Sequence, residues 1–339
     1  MAATPPLRWF GAADVVASMP PLEERLQLAE KTMVALATPD ASQLPPKIAI
    51  HPRPTDSFVH AMPAHLRDET PDGDLVGMKW VAGYATNNAL GLPGISAVVV
   101  LNDPETGLPV AMLDGAPITA ERTAAVSGVA VRRFGPQAAP GGWPNGSPVH
   151  VAIIGAGVQG HSHLPMFGGV LPGCTLHLFD RDPARAAALA GAARVTQGVG
   201  ETLVHHAARE AIEAADVVLT AASFGPASER QQMTNAWLRP GATVIPIDYA
   251  TYCNAEVPRQ AALFLVDQRE QYVANREAGN FDNYPDPMAT IGEAILAGTA
   301  RPAGRVVVTH LGVGLADLVF ADAIVRAAVA AGRGALLAR

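Results

Sequence analysis

The sequence predicts an α/β fold in which a doubly wound parallel sheet is joined to a second, discontinuous domain of the α+β class. Residues 149–312 alternate β-branched apolar runs with helical segments, the order typical of a parallel sheet covered by helices on both faces. Residues 47–113 instead contain short strand-like runs and a hairpin signal, which are typical of an antiparallel sheet. A stretch rich in Pro and Gly at 135–148 separates the two patterns and marks a boundary.

The first part of the chain is predicted to combine helices with strands. Apolar residues at helical spacing predict a helix over 20–37. Strand-like runs follow at 47–51, 58–62 and 77–84, and the runs at 95–103 and 104–113 flank a turn and predict a hairpin. A further helix is expected over 117–134, with Thr119 as its N-cap.

The second part is predicted to alternate strands and helices. The predicted strands are 149–155, 175–180, 216–223, 242–248, 261–267 and 304–312, and helical segments begin near 158, 182, 205 and 234. An Ala-rich helix over 317–333 is expected to pack back on the first domain, because the sheet there needs cover on one face. The predicted domains are therefore 1–133 plus 312–339, and 134–311.

Composition and length argue against several classes of protein. The chain has 339 residues, enough for two domains, and its 49% hydrophobic and 16% charged residues are typical of a globular protein. The net charge of −7, without a basic block, argues against nucleic acid as the main partner. No apolar run reaches the roughly 18 residues of a membrane helix, and the N-terminus does not resemble a signal peptide. We therefore expect a cytoplasmic protein without a membrane partner.

Cysteine and histidine patterns give no indication of a metal site. Cys174 and Cys253 offer neither a disulfide framework nor metal-ligand spacing, and we expect both to be buried small residues. No metal-ligand pattern unites the four histidines that lie close together in pairs, and we expect them to be exposed or to cap helices: His161, His163, His205 and His206.

The segment “GAGVQG” predicts a dinucleotide-binding Rossmann domain. Gly155, Gly157 and Gly160 have the spacing G-x-G-x-x-G and lie between an apolar strand and a helix, the context that this motif requires. The first glycine would permit a tight turn, the second would let the backbone approach a pyrophosphate, and the third would let helix and strand pack closely. The helix N-terminus would supply N–H groups to the phosphates.

The next strand indicates which dinucleotide is bound. Asp180 ends this strand, 20 residues after Gly160, where a carboxylate can accept hydrogen bonds from an adenosine ribose. This favours NAD(H), because a 2′-phosphate would be repelled there. Arg181 follows at once and could bind such a phosphate, so NADP(H) remains possible.

Four segments together resemble the ornithine cyclodeaminase/μ-crystallin family. They are “GMKWVAGYATNN”, “TGLPVAMLDGAPITAERTAA”, “IIGAGVQG” and “GVGLADLVFADA”, and the similarity extends in the same order over about residues 45–325. The resemblance implies a discontinuous substrate-binding and dimerisation domain beside a Rossmann domain, with homodimers common. It also implies NAD(P)-dependent interconversion of small amino and imino acids.

The resemblance assigns roles to three charged residues. Lys79 matches a substrate-binding lysine, whose ammonium can pair with a carboxylate or shuttle a proton. Arg122 matches an arginine at substrate and cofactor, and the predicted helix would place it in the first turn, where an anion would offset the unfavourable dipole. Asp248 matches the catalytic aspartate and follows a strand, where ligands of a doubly wound sheet lie.

Further residues are assigned to the two sites. Gly312 matches a glycine that allows close approach to the nicotinamide, and Asp317 matches a family aspartate that we expect to cap a helix. Leu311 is assigned to the substrate. The remaining cofactor-side residues are Thr123, Val158, Gln159, Thr220, Ile247 and His310.

Several positions depart from ornithine cyclodeaminase itself. The arginine that clamps the substrate carboxylate aligns with Lys47, and Arg53 is a competing candidate. The other changes are Gly94 for a threonine, Pro246 and Ile247 for a glycine pair, Tyr252 for a lysine, and His310 for a serine. His310 is interpreted either as a second acid–base group or as a hydrogen-bonded structural residue. These changes indicate the same reaction class on a different substrate.

Three functions remain open at this point. The first is an NAD(P)-dependent oxidoreductase that interconverts an α-amino acid and its imine. The second is ornithine cyclodeaminase proper, which converts L-ornithine to L-proline and ammonia. The third is a protein that binds NAD(P)H or another ligand without catalysis, against which the presence of both cations and the aspartate argues.

Overall fold

The computed structural model describes residues 6–55, 57–137, 147–223, 230–281 and 283–338. The chain divides into two compact units: unit 1 consists of 1–122 and 312–339, and unit 2 of 123–311. The second boundary coincides with the predicted one, whereas the first lies earlier than the predicted 133/134 and falls inside a helix. Residues 138–146 of the Pro/Gly-rich stretch lie outside the described residues.

Unit 1 is built on an eight-stranded sheet that is mostly antiparallel. In chain order its elements are β1 (Leu7–Phe10), α1 (Ala12–Ala17), α2 (Leu22–Ala37), β2 (Ser42–Gln43), β3 (Ile48–Ile50), β4 (Phe58–Leu66), β5 (Leu75–Gly83), β6 (Ile95–Asn102), β7 (Pro109–Asp114), the start of α3 (Gly115–Phe134), and, from the C-terminal segment, α10 (Gly314–Ala330) and β16 (Ala335–Leu337). The strand order is β16-β1-β7-β6-β5-β4-β2, with β3 also paired to β4. The predicted hairpin is present as β6 and β7, whereas β1 and β16 were not predicted.

One face of this sheet is buried under helices. Side chains along β4, β5 and β6 alternate between buried and more exposed, as the period of two in a strand requires. The expected return of the C-terminal helix is confirmed, because α10 packs on β4, β5 and β6 and against α2. Gly77 allows this close packing, since a Cβ there would lie 2.2 Å from Val100 O and 3.2 Å from the Leu318 side chain.

The other face of the sheet carries exposed apolar side chains. Ile48, Ile50 and Trp80 are 63%, 55% and 46% exposed. Ile48 pairs with Ala61, which pairs with Trp80, so these residues form one row across three strands. This surface, Ile48, Ile50 and Trp80, is called the apolar face below.

Helix α3 begins earlier than predicted, and Thr119 is not its N-cap. The helix starts at Gly115, directly after β7. The carboxylate of Asp114 accepts a hydrogen bond from the backbone N–H of Ala116 at 3.0 Å and so performs the capping that was assigned to Thr119. Thr119 lies inside the helix and donates to Gly115 O at 2.7 Å. Asp114 is a preferred N-cap residue, so the sequence carried a signal for the earlier start, and the prediction overlooked it.

Unit 2 is a parallel sheet with helices. Its elements after α3 are β8 (His150–Ile154), α4 (Val158–Val170), β9 (Cys174–Phe179), α5 (Pro183–Arg194), β10 (Val199–Val204), α6 (Ala208–Glu213), β11 (Val217–Thr220), β12 (Thr243–Pro246), α7 (Glu256–Arg259), β13 (Leu263–Val266), α8 (Arg269–Glu277), β14 (Ala289–Thr290), α9 (Ile291–Leu296) and β15 (Val306–Thr309). The strand order is β10-β9-β8-β11-β12-β15-β13-β14, and each of these pairings is parallel. The predicted doubly wound sheet is therefore confirmed.

Several elements of unit 2 differ from the prediction. The helical segment expected near 234 is a single 3₁₀ turn, Asn235–Trp237. Strand β10 and helices α7, α8 and α9 were not predicted. Both cysteines are buried, as expected. Among the described residues, none of the helices combines the length and the apolar character that crossing a bilayer requires.

Candidate functional site

The glycine motif forms the turn between β8 and α4. Gly155 has φ +112°, and a Cβ there would lie 2.4 Å from Ala221 O, so the position requires glycine. A Cβ on Gly160 would lie 2.4 Å from Gly155 O, which confirms that the third glycine lets helix and strand pack closely. Gly157 precedes the first turn of α4, is exposed, and has no neighbouring atom within 4 Å of the place a Cβ would take. The loop therefore leaves open space at the helix N-terminus, as a pyrophosphate would need.

Asp180 lies beside this loop at the end of β9. Its Oδ2 accepts a hydrogen bond from the N–H of Ala156 at 2.7 Å, and its Oδ1 accepts one from the N–H of Asp182 at 2.8 Å. Each carboxylate oxygen has a second lone pair, so Asp180 can still accept from the hydroxyls of a ribose. Arg181 is exposed.

Asp248 is a buried carboxylate held by the neighbouring strand. It lies two residues beyond β12 and is 6% exposed. Thr220, the last residue of β11, donates its hydroxyl to Oδ1 at 2.8 Å, and the N–H of Ala222 donates to Oδ2 at 3.0 Å. Burial raises the pKa of Asp248 to about 7, although both hydrogen bonds favour the charged form. A carboxyl group with this pKa can both take up and release a proton near neutral pH.

Two tyrosines, Tyr249 and Tyr252, lie shortly after Asp248. Tyr249 has a positive φ of 56°, an uncommon backbone conformation for a tyrosine, and its ring packs edge-on against Phe281 at 5.3 Å between centroids. Burial raises the pKa of the Tyr252 hydroxyl to about 12, and the negative charge of Asp248 contributes to the shift. Tyr252 is therefore a neutral group near the carboxylate, in a position where a lysine would have placed a positive charge.

A buried ion cluster in unit 1 joins three residues, Lys79, Arg122 and Asp317. Lys79 Nζ lies 2.6 Å from Asp317 Oδ2, and Arg122 Nε lies 3.1 Å from Asp317 Oδ1. All three side chains are at least 94% buried. The expectation that Asp317 caps a helix is wrong, because α10 begins at Gly314 and Asp317 points into this cluster from within the helix. This group is called the Lys79–Arg122–Asp317 cluster below.

The charge of Lys79 is finely balanced. Burial lowers the pKa of Lys79 to about 7; the Asp317 carboxylate acts in the opposite direction, while the charges of Arg122 and Lys47 lower the pKa further. Lys79 Nζ also donates to the Thr119 hydroxyl at 3.4 Å. With Lys79 protonated, the cluster holds two cations and one carboxylate, so an anion that binds there would neutralise the remaining positive charge and favour the protonated lysine.

Arg122 is not in the first turn of its helix. Helix α3 begins at Gly115, so Arg122 lies about two turns inside it, and the predicted conflict with the helix dipole does not arise. The cation is instead compensated by Asp317. Its guanidinium lies against Gly312, where φ is +78° and a Cβ would be 2.1 Å from Nη1. Gly312 thus leaves room for Arg122.

Lys47 and Arg53 differ in their surroundings. Lys47 is half-buried, and its charge helps to lower the pKa values of both Lys79 and His60. Arg53 is exposed. Of these two candidates, Lys47 is therefore placed where it acts on the cluster.

Two rows of histidines appear in unit 2. His163 was expected at the surface, but it is fully buried, with Nε2 2.8 Å from Ser127 Oγ. His310 Nε2 lies 2.9 Å from the same hydroxyl, a contact that both interpretations of His310 allow. His205 belongs to a second row, in which His177 lies between His150 and His205 with 2.9 Å between ring nitrogens on each side. His161 and His206 are exposed, as expected.

The other predicted site residues have varied environments. Val158 is 70% exposed at the start of α4, Gln159 and Ile247 are half-buried, Thr123 is buried, and Leu311 donates its N–H to Asp267 Oδ2 at 2.9 Å. Within the described ranges, no group of three or more His, Cys, Asp or Glu residues could hold a metal ion. Sequence reasoning overlooked Ser127, and nothing in the spacing of its helix distinguishes it from other small residues.

Comparison with known proteins gives a consistent result. The model of the ornithine cyclodeaminase/mu-crystallin family matches residues 13–330. The nodulation efficiency protein NfeD of Rhizobium meliloti is 32% identical, with 98% of each chain covered. The ketimine reductase mu-crystallin of Mus musculus is 30% identical, with 90% of each chain covered. Among solved structures, Thermococcus litoralis Δ1-pyrroline-2-carboxylate reductase in complex with NADH and L-proline superimposes with a TM-score of 0.81 at 24% identity, covering 97% of this chain and all of the other.

Proposed function

Because the chain belongs to the ornithine cyclodeaminase/mu-crystallin family, we propose that it is an NAD(P)-dependent oxidoreductase that interconverts an α-amino acid and its imine. The observation that carries the proposal is Asp248, a buried carboxyl group at the end of a parallel strand with a pKa of about 7. A ligand-binding protein without catalysis would have no need for such a proton acceptor.

The Lys79–Arg122–Asp317 cluster supplies a binding site for the substrate carboxylate. Its excess positive charge is buried, and a carboxylate is the anion that small amino and imino acids have in common. Asp317 holds both cations in place. Lys47 contributes further positive charge, since its charge lowers the pKa of Lys79.

Asp248 accepts a proton from the substrate nitrogen or donates one to it, depending on the direction of the reaction. In the direction of amino acid oxidation, the carboxylate accepts a proton from the amine as the C=N bond forms. In the direction of reduction, it returns the proton. Thr220 and the N–H of Ala222 hold the carboxylate in place during both steps.

Gly157 and Asp180 would hold a dinucleotide, which would supply hydride-transfer chemistry at the substrate α-carbon. The glycine loop fits its pyrophosphate because Gly157 leaves open space at the N-terminus of α4. The carboxylate of Asp180 favours NAD(H) over NADP(H), and the similar reductase of Thermococcus litoralis is described with NADH.

We further propose that the protein forms a homodimer through the apolar face. Ile48, Ile50 and Trp80 would be costly to leave in water as one contiguous surface. Trp80→Glu should therefore shift the protein toward monomer in light scattering after size exclusion. Val195→Glu is a matched control, because Val195 is 86% exposed and lies in unit 2. A wild-type monomer at micromolar concentration would contradict this proposal.

The enzymatic proposal is tested by oxidation of NADH and NADPH with a panel of cyclic imines and with 2-oxo acids plus amines. Asp248→Asn should abolish turnover while the protein still binds NADH in a fluorescence titration. Asp286→Asn, which alters a carboxylate with an 80% exposed side chain, is the control. Near-normal turnover by Asp248→Asn would remove the proton-transfer role. Formation of proline from ornithine with catalytic NAD would instead establish the cyclodeaminase reaction.

A further inference from the structure

A buried chain of hydrogen bonds connects the glycine loop to His310. His163 Nδ1 lies 2.6 Å from Gln159 O, and His163 Nε2 lies 2.8 Å from Ser127 Oγ. The same hydroxyl lies 2.9 Å from His310 Nε2. Ser127, His163 and His310 are at most 3% exposed. This arrangement is called the His163–Ser127–His310 relay below.

The chemistry of the groups fixes the direction of each hydrogen bond. A carbonyl oxygen only accepts, so His163 Nδ1 must carry a hydrogen to donate to Gln159 O. Burial lowers the pKa of His163 to about 4, so at neutral pH its Nε2 has no hydrogen and accepts from the Ser127 hydroxyl. The Ser127 oxygen then accepts, and His310 Nε2–H is the donor. His310 therefore carries its hydrogen on Nε2 and a lone pair on Nδ1.

The position of His310 relates it to Asp248. Strands β12 and β15 are parallel neighbours, and the Thr309 hydroxyl donates to Pro246 O at 2.6 Å. His310 follows Thr309 directly, and Asp248 lies two residues after Pro246. Both residues therefore follow the carboxyl ends of adjacent strands, the edge at which a doubly wound sheet binds its ligands.

We propose that His310 is a second acid–base residue of the site, and that the His163–Ser127–His310 relay holds it as the Nε2–H tautomer with Nδ1 as the proton-accepting atom. This inference rests on the proposed function. Ser127 and His163 are positioning residues, since they act on the reaction through His310.

The relay lets His310 change its protonation state without breaking its hydrogen bond to Ser127. When Nδ1 accepts a proton from the substrate nitrogen, the ring becomes an imidazolium, and Nε2–H still donates to Ser127. The proton then returns to the substrate, since Nδ1 is buried from solvent. Protonation of His163 at Nε2 would instead break the relay, because Nε2 could then no longer accept a hydrogen bond from the Ser127 hydroxyl. Two carboxyl groups follow the neighbouring strands, Asp248 after β12 and Asp267 after β13, and Asp267 accepts the N–H of Leu311. Titratable groups are also present on the two helices that carry Ser127 and His163: Glu121, Arg122, Arg132 and Arg133 on α3, and His161 on α4.

The first test is spectroscopic and independent of turnover. In ¹⁵N–¹H correlation spectra that detect the ring nitrogens, His310 of the wild-type protein should show a protonated Nε2 and an unprotonated Nδ1. Ser127→Ala should remove the acceptor and allow the other tautomer. Ser57→Ala is the matched control, because Ser57 is a buried serine that takes no part in the relay. A wild-type His310 protonated on Nδ1 would overturn the proposal.

The second test separates the kinetic parameters. His310→Asn should lower kcat by about 10²-fold or more, the usual contribution of an acid–base group, while NADH affinity changes less than threefold. Ser127→Ala should lower kcat in the same direction, and the two changes combined should have no larger effect than His310→Asn alone. An unchanged kcat in His310→Asn would disprove the role of His310 but not the proposed function. If the wild-type protein turned over none of the panel, the proposed function would fail, and the acid–base role with it.

Discussion

Asp317 Oδ2 lies 2.6 Å from Lys79 Nζ, and the two side chains are 0% and 1% exposed. Such a pair does not by itself make a protein more stable than apolar side chains would, because both charges have lost their water. Removal of one partner is costly, however, since it leaves the other charge buried without compensation. In this protein the cost would be greater for loss of the carboxylate, because Arg122 uses it too.

Loss of the Asp317 charge should therefore destabilise unit 1 strongly. We expect Asp317→Asn to lower the free energy of unfolding by about 3–5 kcal/mol, measured by urea denaturation. Glu213→Gln is the control, because Glu213 forms an exposed pair with Arg209 at 2.7 Å; this pair should contribute less than about 1 kcal/mol. A cost for Asp317→Asn no larger than that of the control would show that the cluster is hydrated in solution. Lys79→Met combined with Asp317→Asn should be less destabilising than Asp317→Asn alone.

Gly312→Ala should disturb the position of Arg122. An added Cβ would overlap with the guanidinium and would also be strained at a φ of +78°. Gly298→Ala is a matched control, because Gly298 has a φ of +60° but no atom within 4 Å of the new Cβ. We expect both variants to lose about 1 kcal/mol from backbone strain, and only Gly312→Ala to raise the KM for the substrate. Equal KM values in the two variants would show that Gly312 does not affect substrate binding.

Stability should fall in mild acid because of buried neutral histidines. Burial lowers the pKa of His163 from 6.5 to about 4, so between these values the unfolded chain binds a proton that the folded protein does not. The contribution of His163 to stability is therefore fully present above pH 6.5 and is lost as the pH falls toward 4. His163→Gln should lose less stability over this interval than the wild type does, as followed by urea midpoints at successive pH values. Parallel curves for the two proteins would contradict this explanation.

Asp248 should act in the opposite sense. Its pKa is raised from 3.8 to about 7 by burial, so between these values the folded protein holds a proton that the unfolded chain releases. Its contribution is fully present below pH 3.8 and is lost as the pH rises toward 7. Asp248→Asn, which cannot ionise, should therefore gain stability relative to the wild type between pH 5 and 7. A relative stability that does not vary with pH would place the pKa of Asp248 near its ordinary value.

Features that neighbouring residues specify could be predicted from the sequence, whereas features that depend on distant residues could not. The turn at Gly155 and the strand before Asp248 are specified by neighbouring residues, and both were predicted. Asp317 was misassigned because its partners are distant in the sequence. Lys79 lies in β5 and Arg122 in α3, and Arg122 lies 195 positions before Asp317. Spacing within a helix predicts a cap but not a distant cation.

The histidines illustrate the same limit. His163 and His205 lie in polar pairs in the sequence, which suggested exposed positions, yet His163 is buried and His205 joins a row with His177 and His150. Parallel strands bring His150 and His177 together from different parts of the chain. The pairing of those strands, rather than the sequence near each histidine, decides their environment.

Unit 1 is formed by two segments that lie far apart in the sequence, so its two parts are synthesised at different times. Strands β4, β5 and β6 emerge early, but the helix that covers their buried face, α10, begins only at Gly314. The whole of unit 2, residues 123–311, must be translated in between, which takes about 10–40 s at the usual rates of synthesis. During that interval the apolar side of β4, β5 and β6 on which α10 packs is not yet covered. We therefore expect folding of this protein in the cell to depend on chaperones that bind the nascent N-terminal segment.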